Sequence, residues 1–336
     1  MNATDVLANV TEEFSASTQK NKFWTSVFGK ESRISAKEVL IIISYSAIFI
    51  MSTFGNLLVF SIVIRNASLR SAKYVFIANL ALSDLLMTVL NIPFNVVGLL
   101  LNNWPFGDFM CSLVPLMQVT FVYVSTFTMT CIAVDRYRII SKPLRPKMAP
   151  MQAFKTIICI WISAAILSLP HAIFSEVDSF FTYRPLTRCR SVYPENMSTW
   201  ITLATFITQY ILPLSVTGIL YCIIVAKIWS RNTLGVVTEA QLISQAKSKN
   251  KTIKMLIRVV IVFAMCWLPL NVFYLLHEFN AFQFIYKSST PTTIFFICHW
   301  LAMSSVCYNP FIYCCLNEHF REGAVRNGTI TSFDKI

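Results

Sequence analysis

The chain has 336 residues, of which 55% are hydrophobic and 13% charged, with mean hydropathy +0.60 and net charge +12. An ordinary soluble domain carries about a quarter charged residues, so this composition excludes a typical soluble enzyme and a disordered chain. The positive balance alone would suit nucleic acid, but its placement along the chain excludes that partner too.

A helix needs about 20 mainly apolar residues to cross a bilayer core. Seven stretches qualify, in order Glu38–Ile64, Tyr74–Leu101, Phe109–Ile140, Ala153–Phe174, Thr199–Trp229, Ile253–Phe279 and Thr292–Cys315. Several contain proline (Pro93, Pro115, Pro170, Pro213, Pro269, Pro310), which a bundle tolerates because neighbouring helices satisfy the freed backbone groups. None alternates as a barrel strand would. The expected fold is therefore an all-α membrane protein, a seven-transmembrane helix bundle.

Charge placement orients it. Of the 28 basic residues, nineteen fall on one side. They are Arg65, Arg70 and Lys73 after the first span, and Arg136, Arg138, Lys142, Arg145, Lys147 and Lys155 around the connection of spans 3 and 4. Lys227, Arg231, Lys247, Lys249, Lys251, Lys254 and Arg258 lie between spans 5 and 6, and Arg321, Arg326 and Lys335 in the tail. That side is cytoplasmic, where anionic lipid attracts it, and the N-terminus is extracellular. Residues 1–37 form an outer segment with glycosylation sequons at Asn2 and Asn9, and Asn196 carries a third in an outer loop. No apolar h-region opens the chain, so the first span is expected to act as its own signal anchor. Residues 38–315 make the bundle and 316–336 a short cytoplasmic end.

Of ten cysteines, only Cys111, at the outer mouth of span 3, and Cys189, in the second outer loop, face the oxidising side. They are the expected disulfide, two unpaired thiols being the alternative. No metal-ligand spacing, P-loop, GxSxG or HExxH occurs, so neither an enzyme nor a protein with a bound cofactor is expected.

Polar residues deep in the spans are costly in lipid and point to function. Asp84, Asn56, Ser125 and Asn309 lie at comparable depth. They either stitch helices together or line a wet cavity able to hold a small cation. Asp135-Arg136-Tyr137, ending span 3, reads as a functional cluster or as charges flanking a membrane segment.

The order and depth of the motifs resolve this. Gly55-Asn56, Asp84, Asp135-Arg136-Tyr137, Trp161, Pro213 with Tyr221, Cys266-Trp267-Leu268-Pro269 and Asn309-Pro310-Phe311-Ile312-Tyr313 fall on successive spans. Over residues 38–325 the chain resembles the rhodopsin-like family of G-protein-coupled receptors. The resemblance implies an amphipathic eighth helix over Leu316 to Asn327, anchored by Phe320. It implies an allosteric sodium pocket of Asp84, Ser125, Ser305 and Asn309. It further implies that Asp135, Arg136, Tyr137, Tyr221, Pro269, Asn309, Pro310 and Tyr313 couple the bundle to a heterotrimeric G protein, Pro269 being the bend about which span 6 moves. Two departures from the family stand out. Lys249 stands where some relatives place an acid to pair with Arg136, and Thr126 replaces the aliphatic residue usual between Pro213 and Phe263.

Gln118 stands where amine receptors carry Asp, and Met303 where opsins carry the retinal lysine. The charged outer rim suits a peptide, with a small non-peptide ligand as the alternative within the fold and a transporter as the alternative outside it. Gln118, Glu278, Phe279, the segment His299 to Ser305 and Trp104-Pro105-Phe106-Gly107 resemble the neuropeptide Y and neuropeptide F receptor group. That likeness implies an amidated peptide bound by Gln118, Glu278, Tyr274, Asn271, His299 and Trp267 at the plasma membrane. Glu278 would take a peptide arginine and Gln118 the terminal amide. Alternatively, Glu278 merely ends span 6 or pairs with Lys287.

Overall fold

The computed structural model describes residues 36–66, 69, 71–101, 103–142, 146–181, 185–194, 197–233, 240–279, 290–316 and 320. The sequons at Asn2, Asn9 and Asn196, Lys287, and the expected eighth helix apart from Leu316 and Phe320 lie outside them. Among the described residues seven helices are long and apolar enough to cross a membrane. Span 1 is Ala36–Arg65, span 3 Gly107–Ser141, span 4 Pro150–Ile173, span 6 Ala240–Glu278 and span 7 Thr290–Leu316. Span 2 is Ala72–Leu90 continued by Ile92–Leu101, and span 5 runs from Met197 to Thr233. The apolar side chains facing outward, Phe54, Ile158, Trp229 and Met265 among them, are the surface offered to lipid. In water such a surface would be an association liability.

Two helices depart from the regular pattern for a local chemical reason. Span 2 breaks at Asn91, two residues before Pro93, whose ring crowds the preceding turn and offers no N–H. Span 5 widens into a π segment, Phe206–Ile211, just before Pro213; the Leu212 N–H reaches back five residues to the Ile207 carbonyl. The wide turn brings Gln209 and Tyr210 inward, where both are buried. Gln209 Nε2 donates to the Val119 carbonyl at 3.0 Å, and the Tyr210 hydroxyl to the Ala264 carbonyl at 2.7 Å. Span 5 is thereby tied to spans 3 and 6. Span 6 begins at Ala240 and not at Ile253, because its Lys- and Gln-rich inner end is built of good helix formers.

Span 3 packs against spans 2, 4 and 5, span 1 against spans 2 and 7, and span 6 against span 7. Buried amides and hydroxyls hold these contacts. Asn79 donates to Thr128 Oγ1 at 2.8 Å and accepts from Trp161 Nε1 at 2.9 Å, joining spans 2, 3 and 4. Asn56 donates to the Val306 carbonyl at 2.9 Å, joining spans 1 and 7.

The outer connection of spans 4 and 5 is an antiparallel hairpin, β1 Ser175–Phe181 and β2 Pro185–Ser191. Register places Glu176 opposite Arg190 and Asp178 opposite Arg188. All four side chains thus share one face, and Arg190 pairs diagonally with Asp178. Ahead of span 3, Gly107 takes φ 72°, a left-handed conformation that glycine adopts without strain. Trp104 Nε1 closes that turn on the Gly107 carbonyl at 2.9 Å.

Gly55 lies against span 7 so closely that a methyl group there would sit 2.8 Å from Pro310 Cβ. Neither backbone nor proline ring can yield cheaply. Gly55→Ala should therefore cost about 1–3 kcal/mol of overpacking strain, seen as a lower midpoint of thermal inactivation in detergent. An unchanged midpoint would show that spans 1 and 7 can part there freely.

Candidate functional site

On span 6, Trp267, Asn271, Tyr274 and Glu278 are spaced by four, three and four residues, which stacks them on one helical face. That face lines an outer cavity of about 440 Å³ with Gln118 and Val122 of span 3, Phe206 and Gln209 of span 5, Ser191 at the end of β2 and Tyr193 just after it. Five of the six expected ligand residues meet there. His299 does not line it. On span 7 it faces span 1, fully buried, with Nδ1 2.7 Å from the Tyr45 hydroxyl and its ring beside Phe295.

Glu278 is half-buried at the mouth and accepts hydrogen bonds from Ser198 Oγ and Thr199 Oγ1, each at 2.7 Å. Among the described residues no cation pairs with it. Two neutral hydroxyls orient the carboxylate but leave its charge uncompensated. The effect reaches Tyr193, whose phenol is held above its ordinary pKa by burial first and by the Glu278 charge as well, against a hydrogen bond with Ser191. The mouth is thus a half-desolvated negative site that a guanidinium could satisfy with two bonds.

The floor of the cavity is Trp267, stacked on Phe263 with ring centroids 5.8 Å apart. Its Nε1 donates to Ser305 Oγ at 3.0 Å. One turn further along span 7, Asn309 Nδ2 donates to Asp84 Oδ2 at 2.7 Å. Ser125 is within hydrogen-bonding reach of Asp84 and donates to Ser83 Oγ at 3.3 Å. Asp84, Ser125, Ser305 and Asn309 each carry a side-chain oxygen, the ligand type that a small hard cation takes, but the Asn309 amide turns its nitrogen to the carboxylate.

At the cytoplasmic end, Arg136 pairs with its neighbour Asp135, and its buried Nε has no partner among the described residues. Both line an inner cavity of about 310 Å³ with Lys73, Lys147, Met148 and Ile253. Tyr137 lies under the Lys227 ammonium, 5.4 Å from the ring centroid. Tyr221 and Tyr313 are buried, and the Tyr313 hydroxyl has no hydrogen-bond partner among the described residues. Phe320 is fully buried with its ring stacked on Tyr313. Thr126 turns its hydroxyl back to the Tyr123 carbonyl, at 3.1 Å, and leaves Thr130 to bond Pro213 O and Thr217.

Residues that the sequence did not single out also build the site. Gln209 enters through the π turn, Ser191 ends the hairpin and Tyr193 follows it, and Ser198 and Thr199 begin span 5. Asn91 and Asn95 form an amide ladder to Gln118. Their spacing of four beside Pro93 was a usable signal, since both amides lie in an apolar stretch.

The bundle, with a cavity at each end joined by a polar core, defines a multi-pass membrane protein built to couple its two faces. Residues 55–313 match the family model described as 7 transmembrane receptor (rhodopsin family). The chain is 35% identical over 309 residues to the RYamide receptor of Drosophila melanogaster, covering 90% of this chain and 64% of that one. It is 33% identical over 290 residues to the neuromedin-K receptor of Cavia porcellus, covering 84% and 64%. It is 34% identical over 290 residues to the RYamide receptor of Tribolium castaneum, covering 83% and 77%. The chain thus spans 64% of the length of the first two relatives. This chain belongs to the rhodopsin-like G-protein-coupled receptors. It is a multi-pass protein of the plasma membrane.

The Cys111–Cys189 bridge ties β2 to span 3 across 78 residues. Two further bonds share that duty, Trp104 N–H to the Thr187 carbonyl at 2.8 Å and Thr187 N–H to Asn103 Oδ1 at 2.8 Å. Removing the bridge by Cys111→Ser or Cys189→Ser should cost about 2–5 kcal/mol and lower surface expression and ligand affinity without abolishing the fold. Mass spectrometry of receptor recovered from cells should find both thiols oxidised in the unmutated chain.

Proposed function

We propose that this protein is a receptor for an extracellular, C-terminally amidated peptide and promotes nucleotide exchange on a cytoplasmic heterotrimeric G protein. It acts by shifting a conformational equilibrium and not as an enzyme. The observation that carries the reading is Glu278, a half-buried carboxylate at the mouth of a cavity whose floor, Trp267, is wired to the polar core. Relatives bearing the name RYamide receptor support a peptide with an amidated end. In this reading a peptide arginine meets Glu278, and the amidated terminus descends past Tyr274 and Asn271 toward Gln118.

A ligand that favours one packing of span 6 shifts the bundle toward it. Trp267 cannot tilt without disturbing its bond to Ser305, and Pro269, lacking an N–H, leaves span 6 a weak point two residues away. Moving the inner half of span 6 opens the cavity around Arg136. There Tyr221 and Tyr313 find new partners and the G protein docks, the anionic lipid of the inner leaflet supporting the basic loops. Sodium bound by Asp84 with Ser125, Ser305 and Asn309 would hold the resting packing, because those residues come from spans 2, 3 and 7 together.

The test uses receptor reconstituted with G protein, an RYamide peptide as probe, and solute flux as the control for transport. Peptide should stimulate nucleotide exchange without flux. Glu278→Arg should weaken binding by roughly 2–5 kcal/mol, as for loss of one partner of a buried charged pair. A peptide with Glu in place of its arginine should partly restore binding to that variant. Binding within twofold of the parent would refute the role of Glu278.

Sodium gives an independent measurement. Raising its concentration should weaken agonist binding, since an ion that prefers the resting state opposes the agonist by linkage. Asp84→Asn should remove this dependence. Equal sodium sensitivity in parent and variant would show that the ion acts elsewhere.

A further inference from the structure

We propose that Asn91 and Asn95 set the polarity of Gln118, so that the inner end of the outer cavity recognises a hydrogen-bond acceptor on the ligand, a carbonyl oxygen, and not a donor. This inference rests on the peptide-amide reading above and adds to it which atom of the amide is read.

A side-chain amide can face either way, so its polarity must come from a neighbour that has no choice. The Val114 backbone carbonyl is such a neighbour, because it can only accept. Asn91, fully buried at the break in span 2, donates Nδ2 to it at 3.1 Å. That setting turns Asn91 Oδ1 toward Asn95, one helical turn on. Asn95 is then obliged to donate, and its Nδ2 lies 2.8 Å from Asn91 Oδ1. The same nitrogen lies 3.3 Å from Gln118 Oε1. Both hydrogens of the Asn95 amide are committed in this way.

Gln118 therefore meets the ladder with its oxygen. The reverse setting would press two NH2 groups together. Among the described residues no protein group accepts from Gln118 Nε2, and the side chain lines the cavity. Two N–H donors are left for the ligand. The carbonyl of a terminal amide suits them, and the amide N–H does not. Asn91 and Asn95 are positioning residues, since they act through Gln118.

The experiment compares an RYamide peptide with its C-terminal methyl ester, which keeps the carbonyl and lacks the N–H. Competition binding to the unmutated receptor should place the ester within about threefold of the amide. Asn95→Asp presents only acceptors to Gln118, turning its N–H groups toward span 2 and its oxygen toward the cavity. The ester should then fall about tenfold relative to the amide, the effect of one hydrogen bond lost. Asn95→Ala frees Gln118 without adding charge and should shift the ratio the same way by less. An ester-to-amide ratio that stays at the parent value in whichever variant reaches the surface overturns the proposal.

A second measurement needs no peptide. The side-chain NH2 of Gln118, labelled with nitrogen-15 and assigned by its disappearance in Gln118→Met, should exchange with water faster than that of Asn95, assigned through Asn95→Ala. A Gln118 pair as protected as the Asn95 pair overturns the polarity. Should the RYamide peptide fail to bind at all, the peptide reading falls while this exchange comparison still decides the orientation of Gln118.

Discussion

A carboxylate inside a hydrocarbon slab has only side chains with which to replace its water, and the bundle is arranged around that need at Asp84. An unpaired charge at such depth is among the costliest features a membrane helix can carry. Asn309 answers it from span 7, and Ser125 stands by from span 3. Two of the remaining spans are drawn in behind them. Asn56 of span 1 fastens on the Val306 carbonyl, and Trp267 of span 6 on Ser305. Lipid offers little drive for helices to associate, because its tails are as apolar as leucine. Polar partners at one level therefore decide which helices touch, and the close contact of Gly55 with Pro310 becomes possible because those bonds hold the backbones together.

The same economy explains the coupling of the two ends. Each polar group in the core has few partners, so a side chain that moves must find another or be left bare at a cost of about 1–3 kcal/mol. The Tyr313 hydroxyl and Arg136 Nε have no hydrogen-bond partner among the described residues. A packing that gives them partners recovers that cost. The resting arrangement and its alternative can therefore differ by a few hydrogen bonds, a gap that ligand binding can bridge.

The sequence made the spans legible because a long apolar run has few other uses, and the side of the membrane legible because lysine and arginine report it. The motif residues Asp84, Asp135-Arg136-Tyr137, Trp267-Leu268-Pro269 and Asn309-Pro310 were legible as polar or helix-breaking residues where lipid disfavours them. Glu278, Tyr274, Asn271 and Trp267 could be placed on one face by helical spacing alone. The π turn was hidden, since Pro213 announces a break in bonding but not whether the chain tightens or widens to absorb it. The hairpin was hidden because its charges read as a loop rim, while register turns them into a paired ladder. His299 shows the opposite limit. Its depth was evident, but which neighbour it faces depends on the rotation of span 7 about its axis, which periodicity leaves open where the polar residues His299, Ser304, Ser305 and Asn309 are spread around the helix.

Span 7 is the least apolar of the seven. Its buried His299, Ser304, Ser305 and Asn309 are at home only when earlier helices stand beside them. During synthesis span 7 follows the other six, after Tyr45 and Asp84 have already entered the bilayer. Its insertion is therefore less a partition between water and oil than the completion of a socket prepared by the preceding chain. The membrane integration of span 7 thus depends on the partners that spans 1 and 2 hold ready for it.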